Sequence, residues 1–198
     1  MRQDNYFFID VEENKWIGVL FDKKLASIYQ EDYFVKYKNP DYVSVDVRNS
    51  RKLFVEKFLP LEECFDYGCG PAPLDPKRCY SAWDKYAKEY SFFDREKFNS
   101  ARGLMLFDVL EHFYDPATFL FVCQSEYVFI TIPIFPGSLQ SLEDLKDWKH
   151  YKPGEHIWYF TSDGFKKMAN ESGYDVIYEG TDECPPRSDI GSFVLRRK

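Results

Sequence analysis

The residues best suited to chemistry begin with Gly68-Cys69-Gly70, which follows directly on the short apolar run 64–67. Glycine tolerates positive φ and, lacking a Cβ, lets a ligand approach the backbone closely. In an open α/β sheet, a glycine loop after the first strand sits at the carboxyl edge, where ligands bind at the point of reversed strand order. Asp66, just ahead of the loop, is placed either to accept a hydrogen bond from a ligand's ammonium or to order the loop. Asp84 closes the run 78–83, fourteen residues beyond Gly70. An acid at the tip of a second strand can hold both hydroxyls of a ribose. A Gly-x-Gly pair alone reads sooner as a plain tight turn, so the features around it carry the argument.

A second group starts at the apolar run 104–107, which leads into Asp108-Val109-Leu110-Glu111-His112. The chain has 3 histidines, His112, His150 and His156, and all follow candidate strands. Histidine is the side chain with the pKa of a general base near neutrality. The Glu-His pairs Glu111-His112 and Glu155-His156 rank His112 and His156 as catalytic candidates. Glu111, His150 and Trp158 are candidates for holding a substrate, with Trp148 and Tyr159 as further walls. The competing expectation is structural: a histidine is more often a hydrogen-bonding strut, and the rings equally fit packing beneath a loop.

These residues need a scaffold that brings strand ends together. Candidate strands are 64–67, 78–83, 104–107, 127–132, 175–179 and 192–195, short and apolar on both faces, as in the centre of a mostly parallel sheet. A helix is expected from Ser162 or Asp163, as the cap, to Gly173, with Phe165, Met168 and Ala169 on one face. Ahead of the sheet, 6–11 and 16–21 read as a β-hairpin. Residues 29–42 read as a helical or irregular cap, and 47–59 as an amphipathic helix stopped by Pro60. The expected organisation is an N-terminal extension over 1–59 packed on a domain over 60–198.

Composition narrows the class. With 198 residues, 44% hydrophobic and 30% charged, the chain has the size and balance of one soluble domain. At 19% aromatic, rings must fill much of the interior. A net charge of -7 argues against a general grip on nucleic acid, which requires a basic face. The 5 cysteines form no CxxC pair, so neither a zinc site nor a redox motif is expected, and no metal. No membrane span or secretory leader is read, which makes a cytoplasmic setting the expectation.

Taken in order, these motifs resemble the class I S-adenosylmethionine-dependent methyltransferases, in particular the small-molecule branch similar to ubiquinone-biosynthesis O-methyltransferases. FDYGCG is similar to that family's first motif and FDVLEHFYDP to its acidic motif after the fourth strand. YVFITIPIFP is similar to the fifth strand, and HYKPGEHIWYFTSDGF to the segment that introduces the late helix. The resemblance covers about residues 60–198. It implies a Rossmann-like seven-stranded, mostly parallel sheet flanked by helices, with the seventh strand antiparallel. It also implies S-adenosylmethionine as cofactor, lined by Asp66, Gly68, Cys69, Gly70, Asp84, Phe107 and Asp108, and a small-molecule acceptor. One departure stands out: Pro71, Pro73 and Pro76 forbid a normal helix after the glycine loop, so the first crossover is expected to be a loop. The third strand is expected near Tyr90–Phe93. A catalytically silent binding or scaffold module on the same fold is the alternative. A dinucleotide oxidoreductase is disfavoured, because the loop lacks the third glycine and the helix that a pyrophosphate rests on.

Overall fold

The computed structural model describes residues 16–18, 43–71, 73–85, 87–136, 143–152, 155–183, 185, 187 and 189–198. The first long element is helix α1, Val45–Glu56. The Ser44 side chain accepts from Val47 N at 3.3 Å, and Asp46 in the first turn suits the positive end of the helix dipole. Val47, Ser50, Arg51, Phe54 and Val55 are its buried residues, a stripe at helical spacing that faces the sheet. The helix thus starts and ends slightly earlier than its sequence pattern suggests.

The main sheet has 6 strands in the order β3-β2-β4-β5-β8-β7. They are β2 (Cys64–Tyr67), β3 (Ser81–Trp83), β4 (Gly103–Phe107), β5 (Tyr127–Pro133), β7 (Tyr174–Gly180) and β8 (Ile190–Arg197). β3, β2, β4 and β5 run parallel to their neighbours, whereas β8 is antiparallel to both β5 and β7. One reversed strand therefore sits next to the edge, as the resemblance implied. Seven strands were expected in this sheet, and among the described residues it has 6. Lys88–Tyr90 is a single 3-10 turn, and residues 91–94 are irregular. The Phe93 ring lies 5.3 Å from Trp83 and 6.1 Å from Phe65. Burying this ring on the β2–β3 face replaces an edge pairing with a strand only 3 residues long.

Residues 68–80 contain no α-helix among those described, in keeping with the prolines. This crossover is held by a side chain instead, since Leu74 N donates to Asp66 Oδ2 at 2.7 Å. Leu74 itself is buried. Helices α2 (Arg95–Ser100), α3 (Pro116–Val122), α4 (Glu143–Lys146) and α5 (Ser162–Glu171) complete the set. Thr161, not Ser162 or Asp163, caps α5 by accepting from Gly164 N, and Gly173 takes φ 90 just past its end.

Two apolar layers enclose the sheet. Phe65, Leu104, Leu106, Val128, Ile130, Phe193 and Leu195 pack with Leu120 of α3 and with Phe165, Met168 and Ala169 of α5. Cys64, Met105, Phe107, Phe129 and Val194 pack with Phe54 and Val55 of α1. A separate two-stranded sheet joins β1, Trp16–Gly18, to β6, Trp158–Phe160, in antiparallel register. The expected hairpin between 6–11 and 16–21, and the cap over 29–42, lie outside the described residues apart from β1. The described part of that hairpin pairs with β6.

Phe54 is 1% exposed, with its ring edge-on to Phe129 at 6.0 Å. Phe54→Ala is expected to lower stability by about 3–5 kcal/mol, the usual loss for a buried ring. Leu53→Ala, at a position 64% exposed, should stay within about 0.5 kcal/mol. Urea unfolding of the two variants gives both numbers.

Candidate active site at the carboxyl edge of the sheet

β2 delivers the glycine loop and β3 ties it down. Gly68 N and Cys69 N both donate to the carbonyl of Trp83, at 2.7 and 3.2 Å. Gly68 and Gly70 have φ values of 74 and 62, the left-handed region that glycine adopts without strain. Their open sides differ. A Cβ on Gly68 would meet Val109 Cγ2 at 2.5 Å, whereas one on Gly70 would meet nothing within 4 Å. Gly68 is therefore a packing glycine, and Gly70 presents bare backbone to open space.

The acids around the loop are engaged. Asp84 accepts from Gly70 N through Oδ2 at 2.9 Å and from Ala87 N through Oδ1 at 3.0 Å. A carboxylate has about four accepting positions, so this geometry fixes the loop and leaves capacity for a ribose. Asp66 is 4% exposed, and its bond to Leu74 N orders the loop. Burial pushes its carboxyl up to about 6, opposed by that bond and by the charge of Arg51. The Cys69 thiol is also pushed up by burial, which favours its protonated form.

β4 delivers the second group. Phe107 is buried, with the Arg51 guanidinium 4.9 Å from its ring centre. Asp108 has φ 57, an uncommon conformation for a non-glycine residue. Its side chain turns to Arg51 Nη2 at 2.6 Å and Arg187 Nη2 at 2.8 Å. Burial opposes ionisation of Asp108, but the two guanidiniums win and hold its carboxyl below the usual range. Glu183 completes the group, accepting from Arg51 Nε at 2.7 Å and from Arg187. Sequence reasoning did not find Arg51, Glu183 or Arg187. They are separated from Asp108 by 57 to 79 residues, and Arg51 lies 132 residues from Glu183, so no local spacing marks the group.

After Asp108 and Val109, Leu110–His112 forms a 3-10 turn. Val109 packs on Gly68, and the Phe113 ring lies 5.9 Å from that of Tyr67. The same turn receives the late segment, because Ile157 N donates to the Glu111 carbonyl at 2.9 Å. His112 and His156 are thereby brought together, with ring centroids 4.9 Å apart. His112 Nδ1 lies 2.7 Å from the Glu155 carbonyl. A carbonyl only accepts, so Nδ1 carries the proton and Nε2 is the basic nitrogen. Burial lowers the pKa of both imidazoles, that of His156 to about 2, and holds them neutral. Burial, then the nearby charge of Asp108, raises the Glu111 carboxyl well above its usual range.

The remaining candidates separate. The His150 ring packs against Trp148 at 5.1 Å, and Trp148 Nε1 donates to Asp189 Oδ2. Trp158 is 4% exposed and belongs to the core, as does the nearly covered Tyr159. At the same edge, a hollow of about 400 Å³ lies beyond β5 and β7, lined by Ile134, Thr181, Asp189 and Gly191 among others.

No protein-family profile and no curated protein sequence matches this chain. Solved structures do. One is the 1,6-didemethyltoxoflavin-N1-methyltransferase of Burkholderia thailandensis, seen with 1,6-didemethyltoxoflavin and S-adenosylhomocysteine bound. It is 11% identical with a TM-score of 0.63, over 98% of this chain and 99% of that one. Another is the magnesium protoporphyrin IX methyltransferase of Synechocystis, with S-adenosylhomocysteine bound. It is 14% identical with a TM-score of 0.54, over 89% of this chain and all (100%) of the other. At these identities the likeness establishes the fold: this is the Rossmann-like α/β architecture of S-adenosylmethionine-dependent methyltransferases. Among the described residues, no helix is long and apolar enough to cross a membrane.

Asp66 gives a pH signature. Burial sets its folded pKa at about 6, above the ordinary aspartate value of 3.8, so between the two the folded state binds more protons than the unfolded one. The contribution of Asp66 is present in full below pH 3.8 and is lost as pH rises through 6. Asp66→Asn, which keeps an acceptor for Leu74 N, should gain on wild type by up to about 3 kcal/mol between pH 4 and 7. Melting curves of both proteins across that range provide the difference, and parallel profiles would contradict the assignment.

Proposed function

We propose that this chain transfers a methyl group from S-adenosylmethionine to an oxygen or nitrogen nucleophile of a small molecule. The observation that carries this reading is the seating of Val109 on Gly68. It sets the turn bearing Glu111 and His112 beside the glycine loop, so donor and acceptor machinery share one rim of the sheet. The fold shared with methyltransferases supports it. So does the bare Gly70 backbone, a cradle that any side chain would fill.

The donor, when bound, supplies a methyl group already activated on a sulfonium. The chain's own task is then alignment, and orientation alone can supply much of the barrier reduction. Gly70 offers close backbone approach, and Asp84 holds that backbone while keeping accepting capacity for ribose hydroxyls. Asp66 shapes the far side of the loop through Leu74. Phe107 and the Arg51–Asp108–Arg187 network close the floor next to it. His112 Nε2, neutral at physiological pH and the more exposed of the paired imidazoles, takes the proton of a hydroxyl acceptor. His156 sits deeper and positions His112 by ring contact. The hollow beside Ile134 and Asp189 is the recess proposed for the rest of the acceptor. Residues 1–59 are proposed to extend the domain of residues 60–198, and the packing of Phe54 and Val55 on the sheet supports that arrangement.

Calorimetry with S-adenosylmethionine and S-adenosylhomocysteine tests the reading. Saturable binding of both is expected, weakened at least tenfold in Gly70→Asn. Asparagine tolerates positive φ, so its side chain should fill the hollow while leaving the melting temperature nearly unchanged. Asp84→Ala should cost about 1–3 kcal/mol of binding, the scale of a lost charged acceptor. No heat and no thermal shift at millimolar ligand would leave the chain as a binding or scaffold module on this fold.

A further inference from the structure

The turn after β4 and the segment before β6 bury three metal-ligating side chains against one another. Glu111, His112 and His156 each offer a ligand atom, and these atoms all lie within 4.8 Å of one another. Glu111 is 1% and His156 4% exposed. Neither is satisfied: Glu111 Oε2 and His156 Nδ1 are buried without a hydrogen-bond partner. Leaving such atoms bare costs about 1–3 kcal/mol each, and native proteins rarely tolerate it without a ligand or a function.

From this we infer that Glu111, His112 and His156 form a binding site for a divalent transition-metal ion. Two imidazoles and one carboxylate are a set that suits Zn²⁺, Mn²⁺ or Fe²⁺, whereas Mg²⁺ and Ca²⁺ prefer all-oxygen shells. Ligand bonds of about 2.0–2.2 Å put neighbouring donor atoms about 3.3–3.6 Å apart around a tetrahedral ion. His112 Nε2 and Glu111 Oε1 are already 3.8 Å apart. All three ligand atoms, within 4.8 Å of one another, must draw closer for an ion to bind.

The outer groups fit as well. Metal-bound histidines almost always donate their other ring N–H to a carbonyl or carboxylate. His112 Nδ1 donates to the Glu155 carbonyl, which points Nε2 inward. With His156 Nδ1 as its ligand atom, Nε2 is the outer nitrogen, and it lies 3.9 Å from Glu155 Oε1. Glu155 thus holds His112 by a hydrogen bond and sets a carboxylate near the outer nitrogen of His156. Lys152 Nζ lies 3.3 Å from Glu155 Oε1. Three protein ligands leave coordination positions open, and His112, 22% exposed at its side chain, is the solvent-facing member. An oxygen of a small molecule bound there would be acidified by the ion itself, with His112 acting as ligand in place of base.

The site stands independently of donor binding, so either titration can fail while the other succeeds. Metal-free full-length protein is titrated with Zn²⁺ by calorimetry and with Co²⁺ by visible absorption. One equivalent is expected to bind, with the d–d bands of a nitrogen–oxygen ligand set and no intense thiolate charge-transfer band. Glu111→Gln and His156→Ala should each weaken Zn²⁺ at least tenfold, while His150→Ala leaves it unchanged. Because buried variants can fail to fold, the imidazole NMR signals of wild-type protein are followed with one equivalent of Co²⁺. Selective shifting of the His112 and His156 signals supports the site. Thiolate bands, equal affinity in folded Glu111→Gln protein, or effects confined to His150 would each overturn it.

Discussion

The contact between Gly68 and the Val109 side chain governs the layout of the rim. There is no room for a Cβ between them, so the glycine is required by packing as much as by its φ. Through this contact the loop after β2 and the turn after β4 become one surface, although neither is regular structure. Trp83 ties the loop to β3 from the other side, because its carbonyl collects two consecutive N–H groups. A crossover without a helix then needs only Asp66 to hold it, through Leu74 N.

Charge organises the neighbouring part of the rim. Arg51 from α1, Asp108 after β4, and Glu183 and Arg187 after β7 form a neutral group of two cations and two anions. Buried pairs of this kind add little net stability compared with apolar packing, yet removing one partner is strongly destabilising. Their consequence here is geometric. They pin α1 to the sheet edge and hold Asp108 in its left-handed backbone conformation, from which the following turn sets out towards Gly68.

Next to this satisfied network lies an unsatisfied one. Glu111 and His156 are as deeply buried as Arg51, but each keeps a bare polar atom. The contrast is informative, because the same rim shows that the chain can pair its buried charges where pairing serves the fold. Desolvation leaves Glu111 inclined to hold its proton and both histidines neutral. A carboxylic acid beside two neutral imidazoles is a cluster in which a cation can replace the proton.

The sequence by itself determined the strands, the glycine loop and the acidic turn, since those depend on local rules: runs apolar on both faces, positive φ that glycine supplies, and prolines that exclude a helix over 71–77. It also ranked His112 and His156 together, through their shared Glu-His contexts. Only the tertiary structure decided that Gly68 faces Val109 while Gly70 faces open space, because the two glycines look alike in sequence. In place of the expected third strand, Phe93 packs its ring against Trp83 and Phe65, a tertiary contact no periodicity reveals. Arg51, Glu183 and Arg187 were invisible for a similar reason. Long-range charge pairing follows from how α1 and the strand after α5 meet across the sheet, and that meeting is a property of the folded chain.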